Sequence, residues 1–336
     1  MKKTTILTGF LGAGKTTYLN YLIKKKPNTR FAIIENEYGE QSIDGDLIIR
    51  SDDNTVEMNN GCLCCTLNEN LYELLNDLYE RREKFDELII EATGVADPAG
   101  IAEPFLTHPA IKNAFELQRI ICLIDAELIE DQLKDTEEAR QQISFSDLLL
   151  INKTDLVHSN YVDVLKDLLK NMNPYAEVVV KGNHGYPVES CIGNKIEKST
   201  LIKSDSRHHS PTGDCNHHYD EKSCNHVRIH KHQDIITHSF VFSDPFDIQK
   251  LYHHLFVYLT FQAKNIYRVK GIIYSTENNK KKVIQSVGKR LGIEEIGDWE
   301  MGELKQSKIV FIGKNIKSDG LKTLLEKCSK KKLNSL

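Results

Sequence analysis

Gly9-Phe10-Leu11-Gly12-Ala13-Gly14-Lys15-Thr16 is the stretch that decides the fold. It fits the spacing G-x-x-x-x-G-K-[ST]. It follows a short apolar strand over residues 5–8, and a helix is expected from Lys15 through Tyr18, Leu19 and Leu22. Strand, glycine-rich turn and helix together make a phosphate cradle. Glycines let the backbone turn tightly so that its N–H groups converge on phosphate oxygens. The helix N-terminus adds partial positive charge. Gly9, Gly12, Ala13 and Gly14 supply the backbone, Lys15 neutralises the β- and γ-phosphates, and the Thr16 hydroxyl is a Mg²⁺ ligand. Thr17 is expected to add a phosphate contact.

Working outward, apolar runs recur at residues 31–34, 86–90, 120–124, 147–151 and 177–180. Uninterrupted runs of this kind read as strands buried on both faces. Between them, Leu71, Leu74, Leu75 and Leu78 give residues 67–83 helical periodicity. The expected fold class is α/β: a P-loop NTPase with a mostly parallel sheet and helices on both faces, joined to a smaller C-terminal α+β domain. The expected domains are residues 1–182 for nucleotide, a His-rich insert at 183–234, and 235–336. Within the last, strands are expected at 238–242, 269–274, 282–286 and 308–312, with helices at 245–261 and 321–330.

Asn152-Lys153-Thr154-Asp155 follows the fifth apolar run directly. A carboxylate at Asp155 can accept two hydrogen bonds from the ring and exocyclic N–H groups of guanine. Adenine offers no such pair and would leave that carboxylate unmatched. Asn152 and Lys153 complete the base-binding segment, so GTP is the expected nucleotide. Glu91 ends another apolar run and is expected to hold Mg²⁺, directly or through water. Gly94, three residues on, would let backbone approach the γ-phosphate. Lys15, Thr16 and Glu91 are the catalytic candidates.

Gly61-Cys62-Leu63-Cys64-Cys65 carries three thiols within four residues. Cys62, Cys64 and Cys65 can converge on one soft or borderline cation, Zn²⁺ first among the candidates. Thr66-Leu67-Asn68-Glu69 has capping-box spacing, so a helix should start there and favour the thiolates. Three thiolates leave a tetrahedral ion one ligand short, which suits transfer. Glu37 and Glu40, in Asn36-Glu37-Tyr38-Gly39-Glu40, are candidates for the fourth.

These motifs resemble those of the CobW-type GTPases. The resemblance runs through residues 9–17, 36–40, 61–65, Glu91 to Pro98 and 152–155. It continues in the second half at Arg268-Val-Lys-Gly271, Trp299 and Val310-Phe-Ile-Gly313. It implies a nucleotide-dependent metallochaperone, with cysteine-bound metal near the GTP phosphates and a client metalloprotein as partner. Glu91 stands where the family uses an acid in place of the usual Asp. A branch of the family serving methionine aminopeptidase carries an N-terminal Leu-Val-Pro docking segment. This chain reads Met1-Lys2-Lys3-Thr4-Thr5, and the resemblance does not extend to that client.

Between residues 182 and 232 apolar periodicity is lost. His208, His209, His217, His218, His226, His230 and His232 crowd this stretch, with Cys215 and Cys224 among them. The expectation is a tether that collects metal by raising its local concentration. His108, His158, His253 and His254 receive no role, and Cys122 and Cys328 read as core.

The 336 residues carry 44 Lys plus Arg against 48 Asp plus Glu, a formal charge of −4. That balance speaks against nucleic acid as the main partner. No apolar run is long enough to span a bilayer and no secretory leader is read, so the expectation is a cytoplasmic protein with thiols rather than disulfides. Self-association stays open. The competing readings are a cobalt- or other-metal insertion GTPase, a P-loop kinase or ATPase without metal transfer, and a passive metal buffer.

Overall fold

A computed structural model describes residues 1–35, 47–50, 56–58, 67–182, 185–187, 235–262, 264–275, 277–287 and 289–330. For residues 35, 47–50, 56–58, 67–70 and 287 it describes the backbone alone.

The first half is an eight-stranded sheet covered on both sides by helices. Its strands are β1 (Lys2–Thr8), β2 (Phe31–Glu35), β3 (Leu47–Arg50), β4 (Val56–Met58), β5 (Glu87–Glu91), β6 (Phe115–Asp125), β7 (Leu148–Asn152) and β8 (Glu177–Val180). They lie in the order β4-β3-β2-β5-β1-β6-β7-β8. The six strands from β2 to β8 in that order run parallel, and β3 and β4 are antiparallel additions at one edge.

Alternation explains the unbroken apolar runs. Ile6, Ile34 and Ile90 face one side, where they pack under α2 (Leu67–Glu80), α3 (Pro98–Thr107) and α4 (Pro109–Ala114). Leu7, Ile33 and Ile89 face the other, under α1 (Lys15–Lys25). Farther along the first of these sides, the one that carries Ile6 and Ile90, α5 (Ile129–Asp135), α6 (Glu137–Phe145) and α7 (Ser159–Met172) cover Ile124, Leu149 and Ile151. Each side chain buried in this way contributes roughly 1.5–3 kcal/mol, so packing rather than local propensity holds these helices. Cys122 and Cys328 are buried core residues, as read from the sequence. Burial pushes the Cys122 thiol up to about 12.

The second half is a five-stranded antiparallel sheet in the order β12-β11-β10-β13-β9. Its strands are β9 (Ile235–Phe242), β10 (Ile266–Ile273), β11 (Lys280–Val287), β12 (Arg290–Asp298) and β13 (Ser307–Lys314). One face packs on α8 (Ile248–Gln262) and α9 (Ser318–Cys328) through Leu251, Leu255, Leu259, Leu321 and Leu325. The other meets the first half: Tyr175 packs against Ile272, Tyr267, Val310 and Ile312. Each expected element is present, with ends shifted by a few residues. Strands β3, β4 and β12 were not expected from the sequence. No helix among the described residues is long and apolar enough to cross a membrane.

Candidate functional site

Three strands of the parallel sheet end side by side in a polar residue: β5 at Glu91, β6 at Asp125 and β7 at Asn152. Asp125 and Asn152 are register partners. Between β5 and β6 lies β1, whose end opens into the glycine-rich loop.

That loop turns at Gly9, Gly12 and Gly14, with φ of 134°, 76° and 97°. Two of these positions also lack room for a side chain. A Cβ on Gly9 would lie 2.4 Å from the carbonyl oxygen of Leu123, and one on Gly14 would lie 2.4 Å from Nδ2 of Asn152. Gly14 is the residue from which α1 starts. Lys15 folds back over the loop, its Nζ donating to the carbonyls of Gly9 at 2.9 Å and Phe10 at 3.4 Å. Burial lowers the Lys15 ammonium pKa, and the nearby Glu91 carboxylate offsets part of that. A phosphate here would exchange two carbonyl acceptors for charged ones, which bind an ammonium more strongly.

Thr16 Oγ1 donates to Glu91 Oε1 at 2.7 Å. A hydroxyl and a carboxylate held this close at the mouth of the cradle are hard oxygen donors, the set Mg²⁺ takes alongside phosphate oxygens. The residues present therefore fit that ion. Thr17 is exposed on the same turn. Gly94 is buried against the loop, where a Cβ would meet the Leu11 side chain at 2.5 Å and its backbone nitrogen at 2.7 Å.

The Asn152–Asp155 segment is tied to the glycine-rich loop by Asn152, whose Nδ2 donates to the Ala13 carbonyl at 2.8 Å. Lys153 has φ of 57°, uncommon for a residue with a side chain, and its Nζ lies 2.7 Å from Asp125 Oδ2. Asp155 is exposed in a short 3₁₀ turn, Thr154–Leu156, with its carboxylate open to a ligand.

Three neighbours escaped the sequence reading. Asp125 is fully buried and also accepts from the backbone of Glu127 at 3.0 Å. Its signal was present: it ends an apolar run, as Glu91 and Asn152 do. Tyr186 donates through its hydroxyl to Asn152 Oδ1 at 3.3 Å and packs edge-on to Tyr18. Gln142 on α6 donates to the carbonyls of Gly94 at 3.1 Å and Ala96 at 3.2 Å. A tyrosine and a glutamine buried from a distance carry no sequence signature.

Glu37, Glu40, Cys62, Cys64 and Cys65 lie outside the described residues, as do the histidines and cysteines of the 183–234 insert. Among the described residues no group of three or more His, Cys, Asp or Glu is arranged to hold a metal.

The family model described as CobW/HypB/UreG, nucleotide-binding domain, matches residues 3–180. The chain belongs to the CobW family. The model of the cobalamin synthesis protein CobW C-terminal domain matches residues 235–329. This CobW-family chain is a P-loop GTPase. It is similar to the zinc chaperone YjiA of Escherichia coli, at 28% identity over 318 residues, covering 92% of this chain and 93% of that one. It also matches the zinc-regulated GTPase metalloprotein activator 1 of Schizosaccharomyces pombe, at 34% identity over 185 residues, 52% of this chain and 44% of that one. The crystal structure of Zn(II)-bound YjiA GTPase from E. coli superposes with a TM-score of 0.71 at 25% identity, covering 98% of this chain and 99% of that one.

Proposed function

We propose that this chain hydrolyses GTP to control a metal ion, zinc first, held by Cys62, Cys64 and Cys65 with Glu37 or Glu40, and hands that ion to a client metalloprotein. Lys15, Thr16, Thr17 and the backbone of Gly9, Gly12, Ala13 and Gly14 take the phosphates. Thr16 and Glu91 hold Mg²⁺, which when bound neutralises charge developing on the phosphate oxygens. Gly94 senses the γ-phosphate, and Asn152, Lys153 and Asp155 select guanine.

The observation carrying this reading is where the described chain enters and leaves the two metal-candidate segments. Ile34 near the end of β2 is in register with Ile90 and with Leu47 of β3, and Leu47 pairs Met58 at the end of β4. Glu35 pairs Glu91. The described anchors of both segments, Glu35 with Leu47 and Met58, thus lie at the same end of the strands as Glu91 and the glycine-rich loop. That shared end is what supports a reading in which the metal ligands and the γ-phosphate act together. Presence of that phosphate would favour the ligand set, and its loss would release the ion.

The decisive experiment is a chelator competition for zinc with the protein loaded with a non-hydrolysable GTP analogue and then with GDP. Tighter binding in the first state is expected, and equal affinities overturn the proposal. Replacing Cys62, Cys64 and Cys65 by Ser should remove the nucleotide-sensitive site while labelled GDP still binds. Competition of GTP against ATP tests the Asp155 assignment.

A further inference from the structure

Helix α6 touches both the nucleotide site and the C-terminal sheet. At its middle, Gln142 is 1% exposed and donates two hydrogen bonds, to the carbonyls of Gly94 and Ala96. Those carbonyls belong to the segment that runs from Glu91 past the glycine-rich loop. Gln142 Oε1 is buried and has no hydrogen-bond partner among the described residues. A buried acceptor in this state is costly, roughly 1–3 kcal/mol, so a nearby N–H that swings toward it is favoured. The backbone of the Gly94 segment is the adjacent source of such groups.

Both ends of the same helix are gripped by the second half. At the N-terminal end Glu137 accepts from the Tyr267 hydroxyl of β10, and lies 3.5 Å from Lys314 Nζ of β13. At the C-terminal end the Phe145 carbonyl accepts from the Arg268 guanidinium, which also lies over the Phe145 ring at 4.9 Å. Two residues on, Asp147 takes Arg268 at 2.7 Å and Lys270 at 2.9 Å. A cavity of about 110 Å³ beside this contact is lined by Leu106, Phe145, Asp147, Arg268, Lys270 and Ser286. Slack next to a helix that is pinned at its ends gives it room to shift.

We propose that α6 is a strut carrying the nucleotide state to the C-terminal sheet, with Gln142 as the positioning residue at the Gly94 end and Tyr267 with Arg268 of β10 at the receiving end. Engagement of a γ-phosphate draws in the Gly94 segment. Gln142 follows its two carbonyls, α6 shifts, and β10 responds through the residues that grip the helix. The inference rests on the nucleotide site proposed above and adds a route out of it.

A reporter is built into the chain. Its single tryptophan, Trp299, packs on Ile272 of β10 and on Tyr175, with Tyr274 edge-on at 5.9 Å. Trp299 emission is compared between protein loaded with Mg²⁺ and GDP and protein loaded with a non-hydrolysable GTP analogue. The wild type should show a difference, and Gln142→Ala should lose it while labelled GDP binds within about threefold of wild type. A Tyr267→Phe variant, which leaves the nucleotide site untouched, should halve the difference or more. A wild type without any difference, or a full difference in Tyr267→Phe or in a folded Gln142→Ala, overturns the strut. Failure of the wild type to bind labelled GDP is read separately and defeats the nucleotide assignment instead.

Discussion

Lys153 Nζ lies 2.7 Å from Oδ2 of Asp125, so the lysine of the proposed base-binding segment is anchored by an acid from the neighbouring strand. Asp125 is fully buried, whereas the Lys153 side chain is one-third exposed. The pair therefore fixes the lysine stem beside Asn152 and Asp155, the residues proposed to select guanine. A hydrogen bond to a charged group contributes roughly 1.5–3 kcal/mol. Asp125→Asn should accordingly weaken GDP about tenfold, as read by titration with a fluorescent analogue, with the circular dichroism spectrum unchanged.

Gly14 cannot carry a methyl group. Its φ of 97° is strained for any side chain, and the new Cβ would sit 2.4 Å from Asn152 Nδ2. Strain of this sort costs roughly 1–2 kcal/mol before the clash is counted. Gly14→Ala should weaken nucleotide binding tenfold or more, a loss of about 1.4 kcal/mol at the least. Gly100, where an added Cβ meets nothing, is the control: Gly100→Ala should bind as wild type.

The Thr16–Glu91 contact predicts a metal-dependent defect. Thr16→Val keeps the shape of the turn and removes the hydroxyl. GDP affinity measured without Mg²⁺ should stay within a few-fold of wild type. With Mg²⁺ present, GTP turnover should fall on the order of 100-fold, about 2.7 kcal/mol of transition-state stabilisation. Glu91→Gln should show the same pattern in a magnesium titration, with half-saturation moved to higher concentration.

Asp147 joins the two halves and should set their acid limit. Burial alone would raise its carboxyl, but Lys270 and Arg268 outweigh it and hold the pKa well below the usual carboxylate range. A depressed folded pKa contributes stability that is fully present above the unfolded value near 4 and drains away as pH falls through the folded one. Thermal unfolding followed from pH 7 down to 3 should show this loss, and Asp147→Asn should flatten it. Asp147→Ala, which strands Arg268 and Lys270 in the interface, should cost roughly 3–5 kcal/mol in a denaturant titration at pH 7.

The parallel sheet was readable because its strands are apolar on both faces and punctuated by glycine or a polar cap. Helix α1 was readable from the lysine and threonine that follow Gly14. Strands β3 and β4 were missed because four and three residues are too few for a period to show. Strand β12 reads Arg-Leu-Gly-Ile-Glu-Glu-Ile-Gly-Asp, an edge strand whose two glycines and three acids look like loop. At the site, Lys15, Thr16 and Asn152 declared themselves through spacing. Gln142 did not, because its partners are carbonyls almost fifty residues away and a backbone carbonyl leaves no trace in a sequence.

The two halves of the chain are fastened by side chains that follow the 188–234 stretch. Before it, Tyr186 is seated within the first half against Asn152; after it, Ile235 packs across onto Val178 and Val180 at the rim of the parallel sheet. Beyond those anchors, Thr237 Oγ1 reaches the Met172 carbonyl at 3.2 Å, and Arg290 pairs with Glu103 at 2.9 Å. Covalent continuity is thus redundant for holding the sheets together. A protease cut between residues 188 and 234 should give two fragments that elute as one particle, and the length of that stretch is free to vary without altering how the sheets meet.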